Sequence, residues 1–129
     1  MKTILSLILI LLLGHANAQL ASNQISEKLD SINVVVLTLS GDVIIENSNE
    51  NIISVHSTLT PSGSVIGWTY PKERPPFEIK SRISADSLFI ETPAVWDQKI
   101  IGIDLYTELI ESTILLPENK NVIIKKAND

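Results

Sequence analysis

The sequence contains no cysteine. That excludes a disulfide framework, a thiol nucleophile and a thiolate zinc site. Histidine is nearly as scarce: there are two, and one of them, His15, falls in the first eighteen residues. A zinc site built from His56 alone has too few nitrogen ligands to close. Basic residues are outnumbered, ten against fifteen acidic, for a net charge of −5. That balance argues against nucleic acid or an anionic membrane as partner, because both select basic surfaces. There is no glycine-rich phosphate loop, no dinucleotide fingerprint and no EF-hand pattern. Aromatics are few, with two each of Trp, Tyr and Phe, so their placement carries weight.

The longest apolar run lies at the start. "MKTILSLILILLLGHANA" has a single positive charge at Lys2, an apolar stretch from Ile4 to Leu13, and the ending Ala16-Asn17-Ala18. A basic residue, a short apolar segment and small residues at −3 and −1 form the pattern of a secretory signal peptide. The apolar segment's length of ten residues is about half of what a membrane-spanning helix requires. Residues 1–18 are therefore read as a signal peptide, and the protein as exported to the periplasm, outer surface or medium. The 111 residues after it carry nine basic and fifteen acidic groups, a charge of −6. That length supports one domain with a modest core, held by packing alone and with no transmembrane segment.

Residues 19–30, "QLASNQISEKLD", lack strand character and read as a lead-in or short helix. Residues 31–129 read as a single all-β domain. "INVVVLTL" is apolar on both alternating faces, which predicts a strand covered on both sides. Ser40-Gly41-Asp42 is a turn signal, and "VIIE" and "IISVHSTL" flank the polar loop "NSNEN", which reads as a hairpin. "SVIGWTY" follows, then the proline segment "PKERPP", which cannot donate to a ladder. "FEIKSRIS" places Phe77, Ile79 and Ile83 on one face and Glu78, Lys80 and Arg82 on the other. Ala85-Asp86-Ser87 turns into "LFIET". "KIIGIDLYTELIESTILLP" holds two strands or one long bent strand, and "NVIIKK" completes the series. Turn signals about every ten residues, without alternating helices, predict a mainly antiparallel β-sandwich of eight or nine strands. A short β-solenoid is the rival, although no fixed repeat period is present.

The stretches "VVVLTLSGDVIIENSNENIISVHSTL", "SADSLFIET" and "STILLPENKNVIIKKAND" resemble adhesin-like domains of unknown function found in bacterial secreted and envelope proteins. That family has a G-D/N-V-x-I strand, a loop and a V-x-V strand, then a gdtLxI strand and an LxLP-x-xxxVxI hairpin. Here these fall on Gly41–Ile45, Ile53–Val55, Asp86–Ile90 and Ile114–Ile124. The resemblance implies a non-enzymatic structural or binding domain, with no catalytic residue and no cofactor. Larger members continue into Gly-Asp-rich coils stacked as a β-solenoid, and no such coils occur in these 129 residues.

Three functional classes follow. A surface interaction module would use Trp68, Tyr70 and Trp96, near or on the proline-flanked loops, to contact a protein or glycan at the cell surface, with Lys72, Glu73 and Arg74 as a polar rim. A subunit of a larger envelope assembly would dock through a sheet edge. A secreted hydrolase would need His56 beside a serine and a carboxylate. Ser54 shares the strand face of His56 while Ser57 takes the other, and the expected role of His56 is a solvated strand residue. Asp104, Glu108 and Glu111 offer oxygen ligands for calcium, but a strand scatters them over two faces. The expected outcome for the N-terminus is cleavage between Ala18 and Gln19. Intact-mass measurement of the secreted protein checks it, and a full-length product held in the membrane would overturn it.

Overall fold

The computed structural model describes residues 21–127, and residues 1–18, read above as a signal peptide, lie outside them. The described residues form ten strands and no helix, so no helix among them is long and apolar enough to cross a membrane. The strands are β1 (Ala21–Lys28), β2 (Val34–Leu39), β3 (Asp42–Ser48), β4 (Ile52–Ser62), β5 (Val65–Tyr70), β6 (Lys80–Ser84), β7 (Ser87–Glu91), β8 (Lys99–Asp104), β9 (Thr107–Pro117) and β10 (Asn121–Lys126). Two four-stranded sheets, ordered β1-β4-β9-β3 and β6-β7-β2-β10, face each other as a sandwich, and β5 pairs with β8 in a separate ribbon.

The core is the two inner faces. Ile53, Val55, Ile114 and Leu116 come from the first sheet, and Val35, Leu37, Leu88 and Ile90 from the second. Each set sits at two-residue spacing, which points alternate side chains to one side of a strand. Leu29 and Ile32, in the turn from β1 to β2, close one end of this core. There the Lys120 ammonium donates to the carbonyls of Leu29 and Ile32 at 3.0 and 2.8 Å. The opposite end is laced by Thr92, whose hydroxyl accepts from the Ser40 amide at 2.8 Å.

The expected sandwich is present, but its connectivity differs from the sequence reading in four respects. First, "ASNQISEK" is a strand rather than a lead-in, pairing antiparallel with β4 from Ala21↔Leu59 to Lys28↔Ile52. Ile25 is the only large apolar side chain on the inward face of this strand, so pairing with β4 rather than hydrophobic pattern makes it a strand. Second, residues 47–51 do not close a hairpin, because β9 lies between β3 and β4 and pairs with both. Third, β9 and β10 lie in different sheets, so 114–124 is an arch across the sandwich, as is the Ser40-Gly41 turn from β2 to β3. Fourth, three of the seven strand pairings are parallel: β10 with β2, β2 with β7 and β3 with β9. The arches explain this, since a chain that crosses to the other layer returns beside a strand running the same way. "KIIGIDLYTELIESTILLP" resolves into two strands, β8 and β9. The outer face of β2 has no covering layer. Val36 is instead buried by its cross-strand neighbours Phe89 and Ile123, with the Arg82 guanidinium 4.1 Å above the Phe89 ring.

Two hydroxyls sit inside the first sheet's apolar face. Ser57 on β4 and Ser112 on β9 are directly opposite and buried, and their oxygens share a hydrogen bond of 2.6 Å. Removing one partner leaves a buried hydroxyl unsatisfied, at a cost of about 1–3 kcal/mol, whereas removing both can be nearly neutral. Ser57→Ala and Ser112→Ala are each expected to lose more stability than the double variant. Urea unfolding of the four proteins checks this, and additive losses would refute it.

Candidate functional site

The first sheet's two central strands outrun their neighbours. The pairing of β4 with β9 reaches Ser62↔Thr107, while β1 ends opposite Leu59 and β3 begins opposite Glu111. The Leu105 amide donates to the Ser64 carbonyl at 3.0 Å, and the ladder resumes as β5–β8, from Val65↔Asp104 to Tyr70↔Lys99. The two strands therefore leave the sandwich as an arm. They pinch at Gly67 and Gly102, which are directly opposite with φ of 136° and 140°. A Cβ on Gly67 would run into the Ile101 carbonyl, and one on Gly102 into that of Ile66, so only glycine fits at either position.

The arm turns an apolar face outward. Ile66, Trp68 and Tyr70 lie on one face of β5, opposite Ile103, Ile101 and Lys99 of β8. The five apolar members are 55–75% exposed, Trp68 and Tyr70 the most, while Val65, Thr69 and Ile100 on the other face are half-buried. Leu105 at the root adds a further exposed side chain. A soluble monomer rarely leaves a contiguous apolar patch of this kind uncovered unless it binds something.

Both proline segments are fastened to the root of the arm. The Arg74 Nε donates to both Glu108 carboxylate oxygens, at 3.2 and 3.0 Å, and Nη2 donates to the Ala94 carbonyl at 3.3 Å. The Tyr106 hydroxyl donates to Glu108 Oε2 at 2.7 Å. The Trp96 ring meets Tyr106 edge-on, with centroids 6.4 Å apart and planes at 80°. One charged network thus ties residues 71–79, residues 92–98 and the start of β9 together. Its ions are paired and largely buried, the condition under which losing one partner is costly. A cleft of about 170 Å³ opens beside it, between Pro75–Pro76, Ala94–Trp96, Lys80 and Glu91.

The three aromatics singled out from sequence therefore separate. Trp68 and Tyr70 share the exposed face of the arm, whereas Trp96 is a half-buried brace at its root. Its indole nitrogen and the Gln98 side-chain oxygen are buried without a hydrogen-bond partner. Arg74 belongs to the root network rather than to a polar rim, while Lys72 and Glu73 are exposed. The sequence reading missed Ile66, Ile101 and Ile103. Their two-residue spacing was visible, but no local signal says that this face meets water.

The other candidates stay apart. His56 is exposed on the outer face of β4, and no hydrogen bond joins it to a serine or carboxylate among the described residues. Ser54, on the same face, bonds Ser26 at 3.1 Å. Glu108 is taken by Arg74 and Tyr106, Asp104 accepts from the Tyr106 amide at 3.0 Å, and Glu111 is exposed on the outer face of β9. Among the described residues no three His, Asp or Glu side chains cluster as metal ligands.

Burial, reinforced by donation to the Glu108 carboxylate, pushes the Tyr106 hydroxyl up to about 12. Below about pH 10, the ordinary tyrosine value, the folded and unfolded chains both keep this proton. Between about 10 and about 12 the unfolded chain releases it while the folded chain retains it, so stability falls across that window. Tyr106→Phe is expected to remove this component of the alkaline stability loss. Paired urea titrations from neutral to alkaline pH check it, and identical pH profiles would refute it. No protein-family model matches the chain, and no curated protein and no solved structure matches it.

Proposed function

We propose that this protein is an exported, non-enzymatic, adhesin-like binding module of the cell envelope or surface, and that the β5–β8 arm holds its partner. The observation that carries this reading is the row of Ile66, Trp68, Tyr70, Ile101 and Ile103, turned to solvent on a ribbon that leaves the sandwich. Burying this row elsewhere in the chain would have stabilised the fold. Its exposure has a use if a partner, a cell-surface protein or glycan, completes the burial. The rings of Trp68 and Tyr70 supply flat area at little entropic cost, suited to sugar faces or apolar peptide side chains. The root network supports the same reading, because a braced arm loses little freedom on binding. The secretory pattern of residues 1–18 and the family resemblance both suit a surface role.

The test separates the two tryptophans. Trp68→Ala is expected to leave urea stability within about 0.5 kcal/mol, as for an exposed side chain. It should also weaken retention on intact cells or arrayed surface glycans by at least about tenfold, as for an interface anchor. Trp96→Ala is expected to cost about 2–4 kcal/mol of stability through the lost brace. Unchanged retention by the Trp68→Ala and Ile101→Ser variants would overturn the proposal.

A further inference from the structure

The two sides of the sandwich are finished differently. On the β1/β6 side the layers are stitched together: the Ile79 amide donates to Asn23 Oδ1 at 3.1 Å, and the Ser81 hydroxyl to Glu27 at 3.3 Å. On the other side β3 and β10 are edge strands, and no described strand pairs with their outer edges. Their inward-facing residues begin to seal the core, since Val43 and Val122 pack against it. The next inward residues do not, as Ile45 is 39% and Ile124 56% exposed. Ile44 and Ile123 on the outward faces are also exposed. The core itself is closed, but these edge-strand isoleucines leave apolar surface in water along this side.

We propose that a second copy of the chain covers it, β3 of each protomer pairing antiparallel with β10 of the other. The directions allow this. β3 runs parallel to β9 and β10 parallel to β2, while β2 and β3 reverse across the Ser40-Gly41 turn, so β3 and β10 run oppositely. A two-fold axis parallel to the strands then sets each β3 beside the partner's β10, and each sheet continues from one protomer into the other.

The side chains select this pairing. β3 reads "DVIIENS" and β10 "NVIIKK". With inward residues matched to inward residues, Val43 meets the partner's Ile124, Ile44 meets the partner's Ile123, and Ile45 meets the partner's Val122. In the same register Asp42 meets the partner's Lys125. Asp42 follows the turn that ends β2, and Lys126 pairs with Leu39 at that same end, so the required levels agree. β3 carries only acidic charges and β10 only basic ones. Pairing β3 with β3, or β10 with β10, would place like charges together, which disfavours both alternatives. Closure by a two-fold axis also removes two open edges that would otherwise template aggregation. Because the axis runs along the strands, both arms leave from the same end of the dimer, and a surface carrying repeated ligands would be held by two contacts.

Light scattering on the secreted chain, at micromolar to tens of micromolar concentration, is expected to give the mass of a dimer. Asp42→Lys and Lys125→Glu should each weaken dimerisation by at least about tenfold while leaving the thermal melt of the monomer intact. The double variant, with the charges exchanged, should restore the dimer. The chain has no cysteine, so Ile44→Cys with Ile123→Cys gives a second readout. These positions lie on the outer faces of opposite sheets within one protomer and face each other only across the proposed contact. Oxidation should yield a covalent dimer on a non-reducing gel. A wild-type monomer throughout the concentration range, a dimer indifferent to the single reversals, or a cysteine variant that stays monomeric on oxidation would each overturn the proposal.

Discussion

The pairing of β4 with β9 is the constraint on which the rest of this structure depends. Each strand has eleven residues, and together they occupy the middle of the first sheet. Their inner faces supply Ile53, Val55, Leu59, Ile110, Ile114 and Leu116 to the buried interior. The same ladder carries on past the end of the sandwich as the arm. A register shift of one residue would turn the buried faces out and tip Ser57 and Ser112 away from each other. Core, arm and buried hydroxyl pair therefore share one register.

Polar interactions serve a different purpose here from apolar ones. Burial between the sheets supplies the driving force, as it does in most domains. The Arg74–Glu108–Tyr106 network does not add to that core. It holds two connectors and a strand start in one arrangement, at the point where the chain leaves the sandwich. Such a network fixes the root from which the arm leaves. The apolar face of the arm and the unfinished β3/β10 side are two places where the fold leaves several neighbouring apolar side chains in water. Natural sheets usually blunt such features with charge or cover.

Much of the architecture was legible in the chain. Two-residue alternation in "IISVHSTL" and "LFIET", turn residues at Ser40-Gly41 and Ala85-Asp86, and prolines at 71–76 place the ends of the strands from β2 to β10 that the sequence delimits to within about three residues. The solvated position of His56 also agrees with the structure. β1 escaped notice because a polar edge strand borrows its conformation from its neighbour. The burial of Trp96 was not legible, because a tryptophan between loop residues reads the same whether it faces water or, as here, Tyr106.

What the sequence determined by itself is local: an all-β chain, the positions of its turns, and the two alternating faces of each strand. Side-chain volume, proline geometry and glycine freedom act within a few residues, so they can be read in order along the chain. Tertiary structure alone decided which strands pair, that β9 inserts between β3 and β4, and which face of β5 and β8 stays wet. Backbone hydrogen bonds are the same for every residue, so a ladder carries no label naming its partner. That choice is made by the collective burial of both sheets, and only the folded arrangement records it.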